Sequence, residues 1–200
     1  MATATKAASN GTSTLSVPTP NIRRVTFHVT GTSPLICNRW SEKAKKQMLD
    51  KQMKKAKKGR EAKDPEQDYE QSLYRSPDGG YGFPSVAFKA AAVRAGTYAD
   101  MKMTYLRGAF HVLGELVPII GEPRPREDMV RVQMTTDIRY RGEFPDWAAE
   151  VPVDLNETAL SIEQLANLFT VAGFAVGVGE WRPEKNGQNG RFALDRVEVA

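Results

Sequence analysis

Between Ser41 and Lys63 the chain places ten basic residues against three acidic ones, and a stretch so charged cannot enter a core. Lys43, Lys45, Lys46, Lys51, Lys54, Lys55, Lys57, Lys58, Arg60 and Lys63 stand against Glu42, Asp50 and Glu61. The whole chain carries +4, so the rest of it is slightly acidic: a near-neutral body with one strongly basic arm. Any core must be assembled from the segments on either side of that arm. Ser41 is placed to cap a helix there, and Ala44, Met48 and Leu49 would give it a thin docking stripe. Ion pairing within the helix cannot neutralise a one-signed excess; Asp50 with Lys54 is among the few pairs at helical spacing. An anionic polymer suits such an arm far better than a small anionic ligand does.

A chain of 200 residues with 40% apolar and 26% charged residues has material for one domain with its own core. Cys37 is the single cysteine, which excludes an internal disulfide and a cysteine zinc cluster and fits a reducing cytoplasm, here that of a bacterial host. No apolar run approaches the roughly 18 to 20 residues of a membrane span, so no membrane partner is expected. Residues 1–21 read as a disordered Ser/Thr-rich tail without the apolar stretch of a signal peptide. Residues 22–200 read as one domain, with 41–80 a Lys-rich helical insertion.

Val25, Phe27 and Val29 alternate with Thr26, His28 and Thr30, the period of a half-buried strand. After the insertion, "PSVAFKAAAVRAG" predicts a helix with Ser85 as its cap and Gly96 as its stop. "GAFHVLGELVPII" predicts a strand region with bulges at Gly108 and Gly114. "MVRVQMTTDIRYR" and "AAEVPVDL" predict two strands joined across "GEFPDW" as an antiparallel hairpin. Ser161 and Gln164 have capping-box spacing at the start of a helix with Leu165, Leu168, Phe169 and Ala172 inward and Gly173 as its end. "RFALDRVEV" predicts a last strand. Without the insertion the order is βαββαβ: an α+β fold, an RRM/ferredoxin-like antiparallel sheet with two helices on one face and the other face open to a ligand.

Four glycines (Gly177, Gly179, Gly187, Gly190) lie near Trp181, Arg182, Lys185 and Arg191, a backbone that an anion can approach. Tyr74 with Arg75, Tyr81, Phe83 with Lys89, and Tyr140 between Arg139 and Arg141 pair aromatic rings with cations, as stacking on bases requires. "DPEQDYE" lacks the glycine and the final bidentate carboxylate of a calcium loop, and reads as an acidic helix start. His28 and His111 have no second histidine at ligand spacing, so no metal is expected. No phosphate loop, nucleophile elbow or dinucleotide fingerprint is present, and no cofactor is expected.

"GFPSVAFKAAAVRAG" after a long insertion, and the late "AVGVGEWRPEKNGQNGRF", resemble two regions of the RAMP superfamily, the RRM-like Cas7, Cas5 and Cas6 proteins of CRISPR complexes. "PLICNRWSEKAKKQMLDKQ" and "GEWRPEKNGQNGRF" also resemble proteins of tailed bacteriophages and prophages, which carries no function with it. The RAMP resemblance implies that Lys89, Arg94 and the loop around Gly177, Gly179, Arg182, Lys185, Gly187 and Gly190 touch a nucleic-acid backbone. It also implies a row of protomers along one strand, with the Ser41–Lys63 arm as a thumb. The expected function is therefore non-catalytic, largely sequence-independent binding of single-stranded RNA or DNA by a homo-oligomer. The expected contacts are Lys45, Lys46, Lys54, Lys55, Lys57, Lys58, Lys89, Arg94, Trp181, Arg182, Lys185, Arg191 and the four glycines. Two other readings stay open here: a metal-independent RNA-processing nuclease using His28 or His111, and a virion structural protein.

Overall fold

The computed structural model describes residues 19–55, 63–132 and 135–200. In chain order the elements are β1 (Ile22–Gly31), β2 (Leu35–Ile36), α1 (Glu42–Gln52), α2 (Pro65–Ser72), β3 (Gly82–Pro84) and α3 (Ser85–Ala95). They continue with α4 (Met103–Ala109), β4 (Phe110–Val112), β5 (Leu116–Ile120), β6 (Arg124–Val132), β7 (Thr135–Phe144), β8 (Ala148–Asn156), α5 (Ile162–Val171) and β9 (Phe192–Val199). The result is a mixed α+β protein with antiparallel sheets. The main sheet runs β3-β5-β8-β1-β9, with β4 also paired to β8. Its order β5-β8-β1-β9, with α3 and α5 as the long connections, is compatible with an RRM-like arrangement.

The core lies between this sheet and the two helices. Val25, Phe27 and Val29 of β1 and Ala149, Val151, Val153 and Leu155 of β8 point inward and are buried. Phe88, Ala91, Ala92 and Ala95 of α3 meet them, as do Leu165, Leu168 and Phe169 of α5. Phe27 stacks on Phe169 with centroids 4.4 Å apart and planes 6° from parallel. Each such ring taken fully out of water stabilises the fold by about 1.5 to 3 kcal/mol. Ser161 and Gln164 form the expected capping box at the start of α5.

Four local expectations fail for identifiable reasons. Ser85 does not cap α3: its hydroxyl donates to the Gly114 carbonyl at 2.6 Å and ties the helix to the β4–β5 turn. Gly173 does not end α5; a π-helical turn carries the chain to Gly177. Gly173 is needed because a Cβ there would lie 2.0 Å from the Phe192 carbonyl oxygen of the last strand. The region read as strand does supply β4 and β5, but its glycines are not bulges: Gly108 lies in the last turn of α4 and Gly114 at the turn between the two strands with φ +77°. Finally, "GEFPDW" joins no hairpin. β7 pairs with β6, Val132 opposite Thr135, and with β2, so these strands make a second, three-stranded sheet while β8 enters the main one.

The insertion has two parts with different fates. α2, capped by Asp64, lies on β7: Leu73 fills the space a Cβ on Gly142 would need, and the Gly142 N–H donates to Ser72 Oγ at 2.7 Å. α1 is capped by Ser41 as expected but buries none of its residues, and Met48, Leu49 and Met53 stay exposed. The thin stripe is therefore undocked among the described residues. Across the second sheet, Glu143 accepts from Arg124 and Arg126, each at 2.8 Å. Burial pushes the Glu143 carboxyl upward, but these guanidinium hydrogen bonds outweigh it and hold the group below its usual range.

Cys37 is fully buried, and burial pushes its thiol up to about 12. Native protein is expected to take up no thiol-specific reagent at neutral pH and to react at Cys37 once unfolded. Modification counted by mass with and without denaturant checks this.

Candidate functional site

The sheet face opposite the helices is the natural first place to look for a ligand in this topology. Its charges are already spent on one another. Arg24 pairs with Asp154 at 2.9 Å, and Thr30 Oγ1 donates to Asp195 at 2.5 Å. His28 is 9% exposed, with Nδ1 3.6 Å from Glu150 and Nε2 3.2 Å from Glu198. The Arg24 hydrogen bonds hold the Asp154 carboxyl below its usual range. Glu150, Asp154, Asp195 and Glu198 outnumber Arg24 and Arg196 across the strands β8, β1 and β9. The face is open, as expected, but its excess of carboxylates does not favour a polyanion there.

On the helix side a groove of about 720 Å³ runs between α3, α4 and the glycine-rich loop. Tyr74, Phe83, Val93 and Met103 contribute apolar surface to it. Lys89 and Arg94 come from α3, Arg107 from α4, and Arg182 and Lys185 from the loop. Sequence positions almost a hundred residues apart thus converge on one groove, five cations against Glu180 and Glu184.

These cations are not equivalent. Glu184 takes Arg182 at 2.9 Å and Arg94 at 3.2 Å, joining the loop to α3. Arg182 also donates to the Gly179 carbonyl at 3.1 Å, so it braces the loop as well as lining the groove. Lys89 lies 3.0 Å from His111 Nδ1, and burial draws its ammonium below the usual lysine range. Arg107 and Lys185 are exposed, and neither has an ion-pair partner among the described residues.

The loop is knitted into the fold. Gly190 N–H donates to the Pro34 carbonyl at 2.7 Å, Glu180 N–H to Ile36 at 3.1 Å and Arg191 N–H to Ser33 Oγ at 2.9 Å. A Cβ on Gly179 would meet the Ile36 oxygen at 2.7 Å, and one on Gly177 would meet Pro183 Cδ at 2.8 Å. Gly187 and Gly190 are closed in by the loop's own main chain. The loop's own packing accounts for the glycines, so their number does not by itself point to a ligand. Trp181 is 43% exposed at a left-handed φ of 55°, a conformation costing a bulky side chain about 1 to 2 kcal/mol.

The remaining expected contacts lie apart. Lys45 is hydrogen-bonded to Glu42 at 2.6 Å, Lys55 pairs with Asp50 at 3.1 Å, and Lys46 and Lys54 are exposed. Lys57 and Lys58 lie outside the described residues. Arg191 donates from Nε to the Gln188 carbonyl at 3.2 Å, and Trp181, Gly187, Gly190 and Arg191 are not among the groove's walls. Arg107, Asn38 and Glu184 are groove residues that sequence reasoning missed. Met103 and Leu106 at helical spacing are the signal that would have placed α4, and with it Arg107.

Among the described residues no cluster of His, Cys, Asp and Glu is arranged to hold a metal, and no helix is long and apolar enough to cross a membrane. No protein-family model matches the sequence, and no curated protein matches it. Among solved structures, the chain is similar to the crystal structure of Cmr6 from Pyrococcus furiosus, with a TM-score of 0.47 and 12% identity over 88% of this chain and 99% of that one.

Proposed function

We propose that the protein binds single-stranded nucleic acid without catalysis, largely independently of sequence, along the groove between α3, α4 and the glycine-rich loop. The observation that carries this reading is the convergence of Lys89, Arg94, Arg107, Arg182 and Lys185 on one groove that also has apolar walls. Phosphates need cations and unstacked bases need apolar or aromatic surface, and a groove offering both suits a single strand. The basic arm adds further positive charge, because α1 leaves Lys46 and Lys51 exposed. On the motif resemblance given above, the chain acts as a RAMP-like subunit, and several copies follow one strand.

Mobility shifts with single- and double-stranded RNA and DNA over a series of salt concentrations test this. The expected result is tighter binding of single strands, a linear fall of log affinity with log salt, and more protomers bound on longer strands. Changing Lys54, Lys55, Lys57 and Lys58 together to glutamine should leave the melting temperature unchanged and lower the log–log slope by roughly 0.7 for each phosphate that is no longer neutralised. An unchanged slope would remove the arm from the interface. A salt-independent affinity in the parent would remove nucleic acid altogether.

The 3.0 Å approach of Lys89 to His111 favours one rival, a metal-independent ribonuclease. Labelled RNA cleaved in the presence of a chelator by the parent but not by His111→Ala would establish it.

A further inference from the structure

We infer that Trp40 and Trp181 form a stacking platform for unpaired bases at the rim of the groove, and that this platform is what selects single strands over duplexes. The inference rests on the nucleic-acid reading above and names the part of the polymer that the rim recognises.

The two tryptophans are far apart in sequence, and the segments that carry them are joined by specific contacts. Asn38, a groove residue, donates from Nδ2 to Glu180 Oε1 at 3.1 Å, and the Glu180 N–H donates to the Ile36 carbonyl at 3.1 Å. Trp40 follows Asn38 by two residues and Trp181 follows Glu180 by one. With about 3.8 Å between successive Cα atoms, both rings are tethered to that joint.

Their exposure is a matter of placement, because the same fold buries its third tryptophan. Trp147 is 3% exposed and donates from Nε1 to the Ser33 carbonyl at 2.9 Å. Trp40 and Trp181 are 53% and 43% exposed. Trp181 is moreover held at a positive φ that glycine or asparagine would adopt with little strain, and its carbonyl is fixed by the Asn189 N–H at 3.0 Å. Backbone strain that presents a large ring to solvent is a reason to look for something that covers it.

The surroundings say what that is. Lys45 Nζ lies 5.9 Å from the centroid of the Trp40 ring, and Lys46 and Lys185 are exposed on the flanking segments. A partner that is both polyanionic and equipped with flat apolar faces matches this rim. A strand of unpaired bases has both properties, whereas a duplex presents its phosphates and hides the faces of its bases.

Tryptophan emission and the anisotropy of a labelled oligonucleotide are read together. The probes are a mixed-sequence single strand, the same sequence as a duplex, and vesicles of anionic phospholipid. Single strands are expected to quench emission, and duplexes and vesicles are not. Trp40→Ala and Trp181→Ala should each weaken single-strand binding roughly 5- to 150-fold, the range of one stacked base, and leave duplex affinity unchanged. Trp40→Phe and Trp181→Phe should restore most of the loss, and a melting curve of each variant shows that the fold persists. Strand binding that survives the double alanine change, or equal losses for duplex and single strand, overturns the platform while leaving the nucleic-acid reading in place. Absence of binding by the parent overturns both. Quenching by vesicles alone assigns the rim to lipid and overturns the platform as well.

Discussion

Gly190→Ala is expected to lower the unfolding free energy by about 2 to 5 kcal/mol and to detach the glycine-rich loop from the body of the protein. Two separate costs add. Gly190 has φ +67°, where an alanine is strained by about 1 to 2 kcal/mol. Its Cβ would also lie 1.7 Å from the Val178 carbonyl oxygen, so one main-chain segment must move. Neither can do so cheaply, because Val178 N–H donates to the Gly190 carbonyl at 2.9 Å and Gly190 N–H donates to Pro34 at 2.7 Å. Gly79→Ala is the control: φ is +88°, but nothing lies within 4 Å of the added Cβ, so only the strain remains. Thermal and urea melting of both variants check the difference. A Gly190→Ala protein that melts with the parent would mean that the loop is not docked on the Ser33–Ile36 segment at all.

That loop also shows where the sequence misleads. Four glycines beside three basic residues suggest a backbone kept bare for an anion, yet glycine count is blind to what occupies the space. Here the neighbours are the chain's own carbonyls, from Ile36, Val178 and Trp181. On the proposed function, the contacts come instead from side chains that the loop's compactness positions, among them Arg182, Lys185 and the strained Trp181.

Local signals were legible wherever one element decided its own form. The capping box of Ser161 and Gln164, the alternation of Val25, Phe27 and Val29, and the alanine-rich α3 are each set by contacts within a few residues or by a simple burial period. What stayed hidden depends on long-range partners. "MVRVQMTTDIRYR" folds back on itself because β2 and α2, some 70 to 100 residues earlier, supply a sheet edge and a lid for it. Similarly, the polar residues of β1 gave no hint that Asp154, Glu150 and Glu198 would meet them and turn the open sheet face acidic. Arg107 was hidden because Gly108 and the aromatic and branched residues after it read as strand, while the helix that carries it is held by Leu106 against Gly96.

The groove, rather than the arm, is expected to dominate affinity, and one comparison decides it. Arg94 and Arg182 are poor probes, since Glu184 binds both and removing either loosens the loop from α3. Lys89, Arg107 and Lys185 avoid that problem: the last two have no ion-pair partner among the described residues, and Lys89 has only His111 beside it. Changing all three to glutamine should lower the log–log salt slope for single strands by about 2, at roughly 0.7 for each phosphate. At an ionic strength of about 0.1 M that slope corresponds to roughly a hundredfold weaker binding. The loss should come without a change in melting temperature, because no buried hydrogen bond is removed. The arm variant at Lys54, Lys55, Lys57 and Lys58 has the same kind of slope to lose, but Lys54 and Lys55 follow α1, a helix that buries none of its residues, and Lys57 and Lys58 lie outside the described residues. Ordering that helix on a strand offsets part of what each lysine contributes, so the arm variant's drop in affinity should be the smaller one. If the arm variant is instead weakened more than the groove variant, the strand follows α1, and the groove between α3, α4 and the loop serves some other ligand.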